Sequence, residues 1–129
     1  MDIVVLLGRL FYSCLFITSG MGHLTAQKKM MAGMLKAKNL PAPELLVMAS
    51  GLVELIGGVL IVLGFHAQWG GWLIVLFLVP VTFTVHNFWT VKEPQARMMQ
   101  MVNFNKNMAL LGAALLIAYF GSGPLSLGD

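Results

Sequence analysis

Residues 44–64 read ELLVMASGLVELIGGVLIVLG, a run long and apolar enough to cross a bilayer, with an acid, Glu54, near its midpoint. A charged side chain at that depth costs roughly 3 kcal/mol or more unless it is paired, neutralised or hydrated. Such a segment cannot stand alone in lipid. It needs neighbouring spans, and one of them must bring Glu54 a partner.

The rest of the chain agrees with a membrane setting. Of 129 residues, 58% are hydrophobic and 10% charged, far below the roughly 25% charge that a water-facing domain carries. The length allows a single domain, 1–129. The one cysteine, Cys14, excludes an internal disulfide and any cysteine-rich metal site, and it lies in an apolar run where packing is its ordinary role. The sequence holds no glycine-rich phosphate loop and no HExxH motif, so no metal site or catalytic residue is assigned.

Four spans are expected, at about 3–24, 44–64, 70–88 and 104–121. The first would be about 33 Å long as a helix. It begins near Asp2 and contains Arg9, unlike the basic start of a cleaved leader, so it reads as a retained span. Arg9, Tyr12, Ser13, Phe16, Gly20 and His23 recur on one helical stripe. In the second span Ser50, Gly51, Gly57 and Gly58 surround Glu54 at helical spacing, so the acid sits on a face that a neighbouring backbone can approach. The third span contains Pro80, an expected kink, and Thr82 and His86 fall four apart near its end. Pro94 is expected to start a helix that runs into the last span, where Asn103, Asn107, Leu111, Ala114, Ala118 and Gly121 form a stripe. Residues 121–129, GSGPLSLGD, read as a turn-rich exit with no further element.

Between the first two spans, Met30, Met34 and Leu35 would share one side of a short helix with Lys29 and Lys36 opposite; an interfacial helix and an ordinary basic loop both fit. Lys28, Lys29, Lys36, Lys38, Lys92, Arg97 and Lys106 all fall in or near the first and third connections. The expected architecture is therefore an all-α integral membrane four-helix bundle, antiparallel, with those connections cytoplasmic and both termini on the non-cytoplasmic side. The same asymmetry accounts for the net charge of +3 without nucleic acid as a partner. The expected location is the bacterial inner membrane, and the expected partners are its lipids.

Depth arithmetic brings Arg9 and Glu54 within reach, with Tyr12 or Ser13 able to add hydrogen bonds. Two readings of that pair stay open. In one, it is structural, deciding which helix faces meet. In the other, Glu54, Arg9 and His86 line a cavity for the polar head of an apolar molecule such as a quinone, which wants a His or Tyr donor and a nearby carboxylate. An Arg9 partner would make Glu54 an organiser of such a site and leave His86 better placed for chemistry.

Several motifs together resemble one family. They are Gly8-Arg9 opening a span that closes on Gly22-His23-Leu24; Leu40-Pro41 ahead of Glu54-Leu55-Ile56-Gly57-Gly58; His86 closing the third span; and Lys106-Asn107-Met108-Ala109-Leu110-Leu111-Gly112 leading to Gly121-Ser122-Gly123-Pro124-Leu125-Ser126-Leu127. The chain resembles the DoxX family of small four-helix membrane proteins over essentially its whole length. That resemblance implies a four-helix bundle and a redox association, since relatives include a subunit of a thiosulfate:quinone oxidoreductase and a component of a membrane oxidoreductase complex handling oxidative or sulfur stress. It carries over Arg9, Glu54, His86 and Asn107; His23 stands where family members often have lysine. The implied function is an accessory subunit of a membrane redox complex, more a non-catalytic partner than an enzyme, docked on other subunits. It would hold no covalently bound cofactor and could contribute to a quinone site. The alternatives are a non-catalytic scaffold for a larger complex and a membrane protein binding a small solute or lipid.

Overall fold

The computed structural model describes residues 1–128. Five α-helices account for most of them: α1 (Asp2–Leu24), α2 (Lys28–Ala37), α3 (Pro43–Leu63), α4 (Ala67–Thr84) and α5 (Pro94–Phe120). Four are long and apolar enough to span a membrane: α1, α3, the segment Ala67–Thr90 that includes α4, and α5.

Local chemistry sets the helix ends. Pro43 occupies the first turn of α3, where its missing N–H removes nothing, and Glu44 stands beside it at the positive end of the helix dipole. Gly64 then closes α3 in a left-handed conformation (φ 62°): its N–H bonds to Ile61 O (3.1 Å) and that of Phe65 to Leu60 O (3.0 Å). Asn39 does the same for α2 at φ 61°. Glu93 caps α5, its carboxylate accepting from the Gln95 and Ala96 amides at 3.1 and 2.7 Å, with Pro94 next in line.

The bundle is held by small residues. A Cβ on Gly20 would lie 2.7 Å from Gly51 O, so α1 and α3 cross nearly backbone to backbone. Gly57 and Gly70 make the same kind of approach between α3 and α4, where a Cβ on Gly70 would meet Gly57 O at 2.9 Å. Gly71 of α4 lies against Ala114 and Ala118 of α5. Between these seams sits a small core of Phe16, Ile61, Ile74, Leu78 and Ala114. The helices therefore pack in the order α1, α3, α4, α5, and α2 lies under α1 and α3. No Cα of α1 comes within 8 Å of one in α5. That fourth seam is left open.

The bundle has two distinct ends. At the terminal end, the start of α1, the α3–α4 turn and the end of α5 come together. At the basic end lie α2 and the α4–α5 connection, joined by Lys38 Nζ donating to Asn87 Oδ1 at 2.7 Å.

Three expectations change here. Residues 121–128 contain no helix or strand, but they are no loose exit: they fold back over the terminal end. His66 N donates to Gly128 O (2.9 Å), Gly128 N to Gly64 O (2.9 Å) and Ser122 Oγ to Gly64 O (3.0 Å). Helix α4 ends at Thr84, so His86 lies beyond it rather than sharing its face with Thr82. The first connection is the helical alternative, but Met31, not Met30, shares its inner side with Met34 and Leu35, and Met30 is exposed.

Candidate functional site

The stripe expected on α1 faces protein as its spacing requires: Arg9, Ser13, Phe16, Gly20 and His23 are all buried. The α3 face around Glu54 is buried too, with Val47, Gly51, Gly57, Gly58 and Ile61. Gly57 and Gly58 thus serve packing inside the bundle. The two intramembrane charges, however, do not meet.

Arg9 is 5% exposed and belongs to the terminal end. Its Nη2 donates to Pro124 O at 3.2 Å and also to Leu125 O, clamping the folded-back segment. Nε and Nη1 have no hydrogen-bond partner among the described residues. Glu54, 1% exposed, has His23 instead: His23 Nδ1 stands 2.8 Å from Glu54 Oε2 and 3.2 Å from Ser50 Oγ. Ser50 passes its own hydroxyl proton to Val47 O (2.8 Å), so its oxygen accepts from the ring. The aligned hydrogen bond of Nδ1 is the one to Ser50. Nδ1 lies closer still to Glu54 Oε2, and no other described residue approaches the carboxylate with a donor.

Side-chain direction explains why His23 replaces Arg9. Helical Cα–Cβ bonds tilt toward the N-terminus of their own helix. On antiparallel α1 and α3, with Gly20 facing Gly51, His23 and Glu54 lean toward each other. Arg9 leans away, toward Gly64, about 15 Å along α3 from Glu54. The His23 signal was present in the sequence, on the same stripe as Arg9, but backbone depth alone did not rank it.

Glu54 and His23 open onto a cavity of about 650 Å³ in the basic-end half of the bundle. Its walls are mainly apolar, from Phe16, Val53, Phe77, Leu78 and Leu110. Across from the acid, the α4–α5 side contributes His86, Asn103, Lys106 and Asn107. His86 Nδ1 is held by Gln100 Oε1 at 2.8 Å, whereas the side chains of Asn103, Lys106 and Asn107 bond to no other described residue. Pro80 also lines the cavity; lacking an N–H, it leaves the carbonyl of Leu76, another wall residue, without its helical donor. Of the expected site residues, then, Glu54, His86 and Asn107 share one chamber. Arg9 stands at the other end, and Tyr12 does not line the chamber, although its hydroxyl donates to the carbonyl of a lining residue, Leu110, at 2.6 Å across the α1–α5 seam. Nothing in the chamber groups three His, Cys, Asp or Glu side chains for a metal ion among the described residues.

These features define a small polytopic membrane protein, a four-helix bundle with a buried acid on a ligand-sized internal cavity. Residues 4–87 match the DoxX family. The inner membrane protein YphA of Escherichia coli is 32% identical over 87 residues, covering 67% of this chain and 61% of that protein. The chain belongs to the DoxX family, and it is a multi-pass inner-membrane protein. It thus spans less than two thirds of that relative's length. No solved structure matches it.

Proposed function

We propose that this chain is an accessory subunit of a membrane redox complex that holds the head of a quinone, or a lipophile of similar chemistry, in the Glu54 cavity and carries no redox cofactor of its own. The observation that carries this reading is a buried carboxylate met on one side only: His23 Nδ1 stands 2.8 Å from Glu54 Oε2, no described residue donates to Oε1, and the side chain lines a chamber of about 650 Å³. Cavities of roughly 300–1,000 Å³, apolar with a few convergent polar groups, are the usual form of a small-molecule site. A quinone head suits the two walls. Its carbonyls can accept from Lys106 or Asn107, and a reduced, hydroxylated head can donate to Glu54 or to His86 Nε2, the ring nitrogen left as an acceptor by the Nδ1–Gln100 Oε1 hydrogen bond. Electrons would enter from a partner subunit, and the basic end would face the cytoplasm, in line with its lysines.

The test is binding of decylubiquinone to the purified chain in lipid nanodiscs. Glu54→Gln keeps the shape and removes the acceptor charge, so affinity should fall about tenfold, the equivalent of ~1.4 kcal/mol. No saturable binding by the wild-type chain, or equal binding by both, would end this reading.

A further inference from the structure

The open α1–α5 seam and the place of Lys106 point beyond the chamber itself. The two backbones stay apart along their whole length, and among the described residues a Tyr12–Leu110 hydrogen bond bridges them beside the Phe16–Ala114 core. Every cavity-lining residue of α1 (Leu15, Phe16, Ser19 and His23) lies on the basic-end side of that bridge. Leu15 is exposed and Ser19 half-exposed, so the chamber opens sideways there. Ser19 and Leu15 sit about 8 and 14 Å from the basic end of α1, which places the mouth within one leaflet.

Facing them across the seam is Lys106. The sequence placed it with the third connection, yet it lies well inside α5, about 21 Å from Phe120 at the terminal end. In a hydrocarbon layer of about 30 Å that is membrane depth. It is exposed, lines the chamber, and has no partner among the described residues. A lysine at that depth is costly unless it faces water, a counter-charge or a ligand.

We propose that the α1–α5 seam is a lateral entrance from the bilayer to the chamber, and that Lys106, on its rim, captures the carbonyl-bearing head of the entering lipophile. This rests on the cavity reading above for the identity of the ligand, but not for the existence of the mouth. The head leaves the leaflet beside Leu15 and Ser19, takes a hydrogen bond from Lys106 Nζ with Asn107 alongside, and comes to lie between that wall and Glu54. The apolar chain stays in the seam.

Two measurements on the full chain in nanodiscs test it. The first follows decylubiquinone association. Lys106→Met should weaken binding at least fivefold, while Arg97→Met, a basic residue of α5 outside the chamber, leaves it unchanged; Ser19→Trp should slow association tenfold or more by narrowing the mouth. Wild-type kinetics in both Lys106→Met and Ser19→Trp would overturn the entrance while leaving the cavity reading standing. The second needs no quinone: a nitroxide attached at Ser19→Cys, in a Cys14→Ser background, reports collisions with oxygen against an aqueous nickel chelate. A preference for oxygen supports a mouth open to lipid. Shielding from both reagents, or a preference for nickel, overturns it whatever the quinone result.

Discussion

The two ends of this bundle each bury a charge, and they treat it in opposite ways. At the terminal end Arg9 reaches the carbonyls of Pro124 and Leu125 and holds the folded-back segment against the α3–α4 turn. In the basic-end half of the bundle Glu54 is met by His23 at one oxygen, 2.8 Å away, while no described residue donates to the other. One charge is used to close the structure. The other is kept at the wall of an open chamber. The difference teaches that a buried charge reads as structural when it is spent on backbone groups of the same chain away from any cavity, and as a site when one side of it borders a cavity.

That contrast can be broken outright at the crossing both ends depend on. Gly20→Leu would push a side chain into Gly51 O and part α1 from α3; the loss should exceed about 3 kcal/mol, and size-exclusion chromatography in detergent should show little folded protein. Arg9→Met should act on one end alone. Melting should drop by the equivalent of about 2 kcal/mol and the segment 121–128 become open to protease, with decylubiquinone affinity unchanged. Weakened binding in that variant would mean that the two ends are coupled.

Smaller effects sharpen the comparison. Tyr12→Phe removes the one hydrogen bond across the α1–α5 seam and should cost about 1 kcal/mol in a thermal melt. Glu54→Gln, despite its effect on binding, should leave the melt within about 1 kcal/mol of wild type, because a weaker contact with His23 is offset by a smaller desolvation penalty. A melt lowered as far as by Arg9→Met would make Glu54 a structural residue after all. Lys38→Met, which frees α2 from Asn87 at a partly exposed contact, should change stability by no more than ~0.5 kcal/mol.

Much of the fold was legible because its causes are local. Hydropathy over about twenty residues marks a span, and the 3.6-residue period marks its buried face, so the α1 stripe and the glycines around Glu54 could be read directly. The proline and glycine signals at Pro43, Gly64 and Pro94 are equally local. The site was legible only in its parts: Glu54, His86 and Asn107 were named, and the structure brings them to one chamber. The pairing of Glu54 went wrong because depth along a helix says nothing of which way a side chain leans, and in the antiparallel α1–α3 pair that lean brings His23 toward Glu54 and takes Arg9 away from it.

What the sequence determined by itself is the kind of object this is: apolar runs too long and too uncharged for water, with the basic residues gathered in or near the first and third connections, and faced with small residues that demand close helix neighbours. What only the tertiary structure decided is the register of those faces. Gly20 set against Gly51 brings His23 to Glu54, sends Arg9 to the tail and leaves the α1–α5 seam apart. Register depends on the sum of many weak packing terms across helices distant in the chain, and no local pattern of residues records that sum.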